Sequence, residues 1–337
     1  MIDLGNEPRI NSRALSRYCL PATEETAMSA LSHCSLRIFF LSGSLLLGAA
    51  TFAQAPGGPG PHSYADLQSS QAYATENLAH SPRHSEWVST PFGTVSLKAW
   101  VDHPDVRGKV PVVLVLHEVF GLTDSTRNTA DRIAAMGYIA IAPDMASGLA
   151  PDGGDTPSFA DSHQTSQTLT GLTNQQVNAR LDAWADYARR LPQSNGKLAI
   201  VGLSWGGGAA FRYANTTRKE LKLVCVFFDV GPPTVTQGPD RAAGGTGYPV
   251  GDLRIPVYGF YGAKDTRVIT SLPLTQEAMS AAGKFYEPVV YPEADHAYMR
   301  LGEDPANTNP ANAAAVKASL ERLQRVLKQR LDRMPAA

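Results

Sequence analysis

A serine in the surroundings of a nucleophile lies in the stretch Ala199–Phe211, which is AIVGLSWGGGAAF. Ser204 is the centre of a G-x-S-x-G pattern, with a strand-like apolar run before it and helix-compatible residues after it. A sharp strand-to-helix turn lifts the hydroxyl out of a sheet, and glycines on either side let two backbones approach closely. The free N–H groups at the start of the helix favour negative charge beside the serine. The pattern predicts a nucleophile; the alternative is a glycine-rich structural turn.

A serine nucleophile needs a base, and the base needs a group that orients it. His296 is the one histidine that follows the serine in the sequence, so we predict it as the base. With the chain order nucleophile, acid, histidine, the favoured acid is Asp265, which comes directly after a strand-like run. Asp229, at the end of the preceding strand-like run, is the second candidate. Glu293 and Asp295 are so close to His296 in sequence that we do not expect them to face its ring nitrogens.

Acyl transfer also needs two donors for the oxyanion of the tetrahedral intermediate. The N–H of Trp205 is the expected first donor, and the N–H of Val119, in the loop after VVLVLHE, is the expected second. These groups together predict a serine hydrolase that cleaves a small carboxylic ester or lactone through an acyl-enzyme. A thioesterase or an amidase would use the same groups. A non-catalytic binding module on the same scaffold is the alternative from another class.

The sequence predicts no cofactor and no metal site. The closely spaced carboxylates Asp152 and Asp155 have no histidine at ligand spacing, which argues against a metal-dependent hydrolase. Lys+Arg number 30 and Asp+Glu number 31, so the formal net charge of -1 favours neither nucleic acid nor an anionic membrane as a partner. The predicted partner is a small ester or lactone, and the oligomeric state stays open.

Strand-like and helical patterns alternate from Lys109 onward. The runs VPVVLVLHE, YIAIAPD, LAIVGLS, LKLVCVFFDV, IPVYGFYG and YEPVVY predict strands, most of them buried on both faces. Helices are predicted near Asp124–Met136, Gln175–Arg190, from Trp205, near Leu272–Ala282 and near Asn312–Arg333. This order indicates an α/β fold with a mainly parallel central sheet that is flanked by helices on both faces.

Other segments fit around this core. EWVSTPFGTVSLKAWVDHP alternates apolar and polar residues around a Pro-Phe-Gly turn, which predicts a β-hairpin. Ala146–Thr173 and Gly231–Asp252 lack apolar periodicity and are predicted as long loops, the first being either a lid or disordered. Cys225 lies within a buried strand-like run and is predicted to be a packing residue.

The N-terminus has the layout of a secretory signal peptide. Arg37 precedes a short apolar run and then small residues at Thr51 and Ala53. The apolar run is shorter than the roughly 20 residues of a membrane-spanning helix. We predict a signal peptide over 1–53, with Met28 as a candidate for the true start, a flexible linker over 54–85 and a catalytic domain over 86–333. The protein is thus expected to be exported, periplasmic or secreted, without stable membrane insertion after cleavage; a cytoplasmic protein with an apolar tail is the alternative.

Four blocks of the sequence resemble the dienelactone hydrolase family of α/β-hydrolases: His117–Met145, Leu191–Phe211, Gly262–Asp265 and Ala294–Arg300. The resemblance implies the α/β-hydrolase fold and the triad roles of Asp265 and His296. It further implies that Glu118 lies beside the nucleophile and takes part in its activation, and that Arg300 binds the carboxylate of the substrate. His117 is a common neighbour in such sequences.

The sequence departs from the family pattern in two places. The best-known members use a cysteine nucleophile, whereas this chain has Ser204 in that position. A hydroxyl is not ionised near neutral pH, so the serine depends more heavily on His296, and the activation by Glu118 that answers to a thiol is expected to be inactive. Pro151–Asn178, where the family has a further substrate-binding arginine, contains neither Arg nor Lys. Half of the carboxylate clamp is missing there, which argues against dienelactone itself as the substrate.

Overall fold

The computed structural model describes residues 70–229 and 250–332. The predicted signal peptide over 1–53, the first part of the predicted linker and nearly all of Gly231–Asp252 lie outside the described residues. In the part of the chain that is described, no helix combines the length and the apolar character needed to cross a bilayer.

One eight-stranded sheet organises the described residues, in the order β1-β2-β4-β3-β5-β6-β7-β8. The strands are β1 (Ser85–Phe92), β2 (Val95–Asp102), β3 (Val110–Leu116), β4 (Ile139–Pro143), β5 (Ser194–Leu203), β6 (Leu221–Phe227), β7 (Val257–Gly262) and β8 (Tyr286–Tyr291). The pairs β1–β2 and β2–β4 are antiparallel, and each neighbouring pair from β4 to β8 is parallel. The predicted α/β fold with a mainly parallel sheet is confirmed, and so is the hairpin.

Helices cover both faces of this sheet. They are α1 (Ser70–Ala79), α2 (Asp124–Ala135), α3 (Ser162–Thr170), α4 (Asn174–Arg190), α5 (Trp205–Tyr213), α6 (Thr266–Ala281), α7 (Tyr298–Leu301) and α8 (Pro310–Leu327), which continues into a π-helical turn at Lys328–Asp332. Because side chains alternate along a strand, β3 sends Val112 and Leu114 into the apolar cluster with α4 and α5. Val113 and Val115 enter the opposite cluster with α2 and α8. This two-sided burial explains the continuous apolar runs of the parallel strands.

The strand order places a crevice above the middle of the sheet. From β3 the chain moves to β4 on one side, and later to β5 on the other side of β3. The order in which strands are added to the sheet therefore reverses at β3. In open α/β sheets, ligands bind outside the carboxyl ends of the strands at such a switch point. The loops after β3, β5, β7 and β8 all begin at this edge.

The predicted flexible linker over 54–85 does not hold for residues 70–85, which form α1 and the approach to β1. α1 packs against α2, with Gln71 and Ala74 buried. The Gln71 side chain accepts a hydrogen bond from the Ser125 N–H at 3.2 Å. The Ser/Gln/Ala-rich composition concealed this helix because polar contacts, rather than an apolar stripe, attach it to the domain.

The segment Ala146–Thr173, expected to be a lid or disordered, contains a short 3-10 turn at Thr156–Ser158 and the helix α3. The turn is fastened to the end of β4: the buried Asp144 carboxylate accepts from the Thr156 N–H at 2.8 Å and from its hydroxyl at 2.7 Å. Asp161 caps α3 by accepting from the Gln164 N–H. Polar contacts and the burial of Phe159 and Leu169 in the apolar cluster hold this segment on the domain, which the absence of apolar periodicity could not indicate.

Helix α6 begins at Thr266, six residues before the predicted start at Leu272. Its N-cap is Asp265, whose side chain accepts a hydrogen bond from the Val268 N–H. Pro273 lies inside the helix. A proline disfavours the helical conformation in the residue before it, which is why the sequence pattern suggested a later beginning.

Candidate active site

Ser204 stands at a strained turn between β5 and α5. Its backbone has φ 51 and ψ -115, a left-handed region that non-glycine residues rarely adopt. The Ser204 N–H donates to the carbonyl of Phe227 at 2.9 Å, which holds the turn against the end of β6. The neighbouring glycines are required by space: a Cβ on Gly202 would lie 2.1 Å from the Gly206 carbonyl oxygen, and one on Gly206 would lie 2.6 Å from that of His117. The geometry of this G-x-S-x-G turn therefore depends on close backbone contacts.

The structure brings together the three side chains predicted to form a triad. Ser204 Oγ lies 3.3 Å from Nε2 of His296. Nδ1 of that ring donates to Oδ2 of Asp265, whose other carboxylate oxygen accepts from the Val268 N–H at 3.3 Å. Asp265 is buried, 7% exposed. Because Nδ1 carries the proton, the lone pair of Nε2 faces the serine hydroxyl, as a general base requires.

The loop that carries His296 is anchored by Asn309 and Asn312, which carry no functional signal in the sequence. The Asp295 N–H donates to the side-chain oxygen of the buried Asn312 at 2.9 Å, and the Asp295 carboxylate accepts from the amides of Asn309 and Asn312. Hydrogen bonds, that from Asn309 first, hold the pKa of Asp295 below its usual range. Gly262 lets this loop pass close to β7, because a Cβ there would lie 2.5 Å from the Ala294 carbonyl oxygen. The polar start of α8 thus fixes the histidine loop.

The two predicted oxyanion donors belong to the same neighbourhood. The Gly206 N–H donates to the carbonyl of His117 at 3.1 Å, which joins the start of α5 to the loop after β3. Within the described residues, the backbone N–H groups of Val119 and Trp205 donate to no protein acceptor. Both residues line the cavity that holds Ser204. They are therefore available as a pair of donors beside the serine.

The side chain of His117 is buried under the loop that follows β3, and it is not among the described residues that line the cavity. Its buried ring stacks on Trp205, with ring centroids 5.6 Å apart. Nδ1 donates to the Glu118 carbonyl at 2.7 Å, and Nε2 accepts from the Met145 N–H at 3.1 Å. Burial lowers the pKa of His117, so the ring stays neutral and joins the loop after β3 to the end of β4.

These side chains surround a cavity of about 240 Å³. Its lining residues are Val119, Ser204, Trp205, Asp229, Asp265, Arg267 and His296. A volume of this size suits a small molecule, and the Ser204 hydroxyl, the His296 ring and two backbone N–H groups converge on it.

The sequence profile of the Dienelactone hydrolase family matches residues 97–331. The chain belongs to this family. A protein of Yersinia pestis named "Putative carboxymethylenebutenolidase" is 33% identical over 210 residues, which are 60% of this chain and 74% of that protein. The "Carboxymethylenebutenolidase" of Pseudomonas putida is 30% identical over 109 residues, 32% of this chain and 46% of that protein. The crystal structure of a "Putative Dienelactone Hydrolase" from Klebsiella pneumoniae covers 73% of this chain and 99% of its own, with 28% identity and a TM-score of 0.60.

The family resemblance implied that Arg300 binds a substrate carboxylate, yet the structure pairs this arginine with Glu118. Nε and Nη2 of Arg300 each lie 3.5 Å from an oxygen of the Glu118 carboxylate. Both residues are 8% exposed, and the guanidinium also lies over the ring of Phe120. Neither residue is among the described residues that line the cavity. In this member of the dienelactone hydrolase family the two charges form a buried ion pair behind the site.

Arg267 is a cavity residue that the sequence analysis missed. It follows Asp265 by two positions, and its half-exposed guanidinium donates to the Phe228 carbonyl at 3.1 Å. Its Nη1 lies 3.7 Å from a carboxylate oxygen of Asp229. Asp229, the alternative acid, therefore faces Arg267, while Asp265 is the carboxylate that reaches His296. Arg267 lines the cavity because α6 begins at Thr266, a start that the sequence pattern did not predict.

Proposed function

We propose that this protein is a serine hydrolase that cleaves a small carboxylic ester or lactone through an acyl-enzyme. The observation that carries the proposal is the hydrogen-bonded series from Ser204 to His296 to Asp265 beside two backbone donors. Membership of the dienelactone hydrolase family and the names of the curated relatives support the same reaction class.

In the proposed reaction, Ser204 Oγ attacks the carbonyl carbon while Nε2 of His296 takes the hydroxyl proton. Asp265 holds the ring in the required tautomer and stabilises the imidazolium. The N–H groups of Val119 and Trp205 receive the oxyanion, each worth about 3–4 kcal/mol of transition-state stabilisation. His296 then gives its proton to the departing alkoxide. A water molecule, deprotonated by the same nitrogen, attacks the acyl-enzyme and releases the acid.

Glu118 takes no part in proton transfer in this reaction. Its carboxylate is buried and paired with Arg300, so it stabilises the loop behind the nucleophile. A thiol can be activated by ionisation alone, whereas a hydroxyl needs a base within hydrogen-bond reach. His296 lies within that reach of Ser204, which supports the serine as the proposed nucleophile.

The cavity suggests substrates that carry an anionic group. Arg267 lines the cavity that holds Ser204, as does Asp229, whose carboxylate lies 3.7 Å from Nη1 of the arginine, so an anionic substrate group would share this guanidinium with Asp229. The volume of about 240 Å³ limits the substrate to a small molecule. We expect Arg267→Gln to raise the KM of a p-nitrophenyl ester with a free carboxylate about tenfold, because the mutation removes a charge-assisted hydrogen bond. The KM of neutral p-nitrophenyl butyrate should stay unchanged. Equal effects on both esters would contradict the assignment.

The decisive test labels the wild-type protein with a serine-directed phosphonate and measures hydrolysis of p-nitrophenyl acetate, p-nitrophenyl butyrate and a set of lactones. The label should map to Ser204, and Ser204→Ala or His296→Ala should lower kcat by about four orders of magnitude or more. Ser89→Ala, an exposed serine in β1, is the matched control and should keep the wild-type rate.

The alternatives give different outcomes. Faster turnover of acyl thioesters or anilides than of oxygen esters, lost in the same variants, would indicate a thioesterase or an amidase on the same triad. Absence of labelling and of turnover in the wild-type protein would favour a binding module. Chelator treatment should leave ester hydrolysis unchanged, because every proposed step uses the chain's own residues and water.

Export is a second part of the proposal. The signal-peptide pattern over 1–53 supports a periplasmic or secreted location. Fractionation of cells expressing the full chain should find a shortened protein outside the cytoplasm, with its new N-terminus near Gln54. A full-length protein confined to the cytoplasm would favour the apolar-tail alternative.

A further inference from the structure

Three potential metal ligands meet where β1 begins and β2 ends. His84 precedes β1, Glu86 lies in β1, and His103 follows β2. One nitrogen or oxygen from each side chain can be chosen so that all three atoms lie within 4.8 Å of one another. These three residues, called here the hairpin trio, do not take part in the proposed hydrolysis.

The strand register explains why they share a surface. Ser85 pairs with Asp102 in the antiparallel hairpin, so the next pair outward is His84 with His103. The His103 N–H donates to the His84 carbonyl at 2.9 Å, which continues the ladder by this pair. Glu86 is two residues from His84 and therefore points to the same face. The side chains of His84, Glu86 and His103 therefore form a triangle on one face of the hairpin.

The donor atoms are spaced for one ion. Nε2 of His103 lies 3.1 Å from Oε1 of Glu86. Two ligands about 2.1 Å from a tetrahedral zinc ion are separated by roughly 3.4 Å, so this pair needs little movement. The imidazole of His84 is stacked on that of His103 with centroids 5.2 Å apart. His84 and Glu86 are exposed, so their side chains can rotate toward a common centre.

The second ring nitrogen of His103 is held as in known metal sites. Nδ1 lies 3.3 Å from the side-chain oxygen of Gln193, to which it donates when it carries the proton. A ligating histidine usually donates its other N–H to an oxygen in this way. In that tautomer the lone pair of Nε2 faces the Glu86 carboxylate, as two ligands of a shared cation would; in the other tautomer Nε2 donates to Oε1 of Glu86.

We propose that the hairpin trio binds a divalent transition-metal ion of the zinc type, with His84, Glu86 and His103 as ligands and Gln193 orienting His103. Two imidazoles and one carboxylate suit Zn²⁺, and also Cu²⁺ and Ni²⁺, better than Mg²⁺ or Ca²⁺, which prefer oxygen. Sequence spacing does not reveal this set, because the third ligand of the trio comes from the opposite strand.

This site is separate from the reactive serine. β2 is antiparallel to β4, and Asp102 pairs with Ala140 near the start of β4. The trio therefore lies at the amino-terminal edge of the parallel strands, whereas Ser204 lies at the carboxyl-terminal edge. A bound ion would join the chain entering β1 to the end of β2 and act as a clasp on the hairpin, not as a catalyst.

The test is calorimetric titration of the chelator-treated full chain with ZnCl₂. His103→Ala should weaken zinc binding at least about 100-fold, and Gln193→Leu about tenfold, since loss of an outer partner costs 10- to 100-fold. Zinc should raise the Tm of the wild-type protein and not that of the double variant His84→Ala/His103→Ala. His163→Ala, which removes an exposed histidine elsewhere, is the control and should bind zinc like the wild-type protein.

Two results would overturn the site. The first is a wild-type protein that does not bind zinc, which would assign the position between Nε2 and the carboxylate to a proton. The second is equal zinc affinity of the wild-type protein and the double variant, which would locate the binding elsewhere. Circular dichroism and the Tm without metal establish that the variants are folded. Ester hydrolysis is not needed as a readout, so this proposal and the proposed function fail independently.

Discussion

The buried ion pair between Glu118 and Arg300 leads to a double-mutant prediction. Glu118→Ala and Arg300→Met are each made alone and then together. Each single change removes one side of a buried ion pair and leaves the other charge buried, because both residues are 8% exposed and contact each other through two atom pairs at 3.5 Å. The energetic cost should therefore appear in folding.

The magnitude follows from burial and distance. Loss of one partner of a buried pair costs about 3–5 kcal/mol of unfolding free energy, and separations of 3.5 Å are long for hydrogen bonds, so we take the lower end, about 3 kcal/mol. In a domain of this size that amounts to a fall in Tm of about 6–12 °C. If the two side chains act mainly on each other, the double variant should lose about 3 kcal/mol too, well short of the sum of about 6 kcal/mol.

The assay is urea unfolding followed by tryptophan fluorescence, together with kcat and KM for neutral and anionic p-nitrophenyl esters. We expect the single variants to be less stable, with KM values close to those of the wild-type protein. Additive losses in the double variant would show that the pair does not couple. An Arg300→Met variant of wild-type stability with a KM raised only for the anionic ester would refute the structural role and restore Arg300 as a substrate-binding residue.

Three further predictions test the packing around the site. Gly206→Ala places a Cβ 2.6 Å from two carbonyl oxygens at the end of β3. It should lower the free energy of unfolding by about 2 kcal/mol or more and remove most of the esterase activity. The control Gly251→Ala, where a Cβ meets open space, should change neither quantity in the same unfolding and activity assays. Burial raises the pKa of the Cys225 thiol to about 12. Iodoacetamide at pH 8.5 should therefore leave the peptide that contains Cys225 unmodified in mass spectra of the native protein and modify it after unfolding. Labelling of Cys225 in the native protein would show that β6 opens. Burial lowers the pKa of His117, so the unfolded chain binds a proton that the folded chain does not, and wild-type stability should fall as the pH drops below about 6.5. His117→Gln should flatten that fall in urea unfolding at pH 5.5 against pH 7.5, and an unchanged slope would contradict the cause.

Short-range patterns predicted the strand, turn and helix around Ser204 because glycine spacing and apolar runs reflect local backbone requirements. The elimination that selected His296 and the chain order that selected Asp265 also agree with the geometry, since parallel strands bring their following loops to one edge. What the sequence could not show are pairings between distant side chains. Arg300 meets Glu118 across 182 positions, and no local signal distinguishes an arginine that faces a substrate from one that faces a buried carboxylate.

The other errors concern segments that hydrogen bonds to distant residues attach to the domain. α1 and the segment Ala146–Thr173 were predicted to be flexible because they lack apolar periodicity, yet hydrogen bonds to Gln71 and from Thr156 fasten them to the domain. Such contacts depend on the position of a partner that is far along the chain. Asn312, which holds the histidine loop, was missed for the same reason.

Asp265 serves two structures at once, since one carboxylate oxygen receives the His296 ring and the other caps α6. Ser204 is in the opposite position: its left-handed backbone is costly, and glycine would adopt it without strain. In a descendant that did not need the proposed reaction, selection for a stable helix would still retain the aspartate. The serine would be replaced readily, because replacement by glycine removes the backbone strain. In a relative of this chain, an aspartate at the position of Asp265 is therefore weak evidence of activity. A serine at the position of Ser204 is strong evidence.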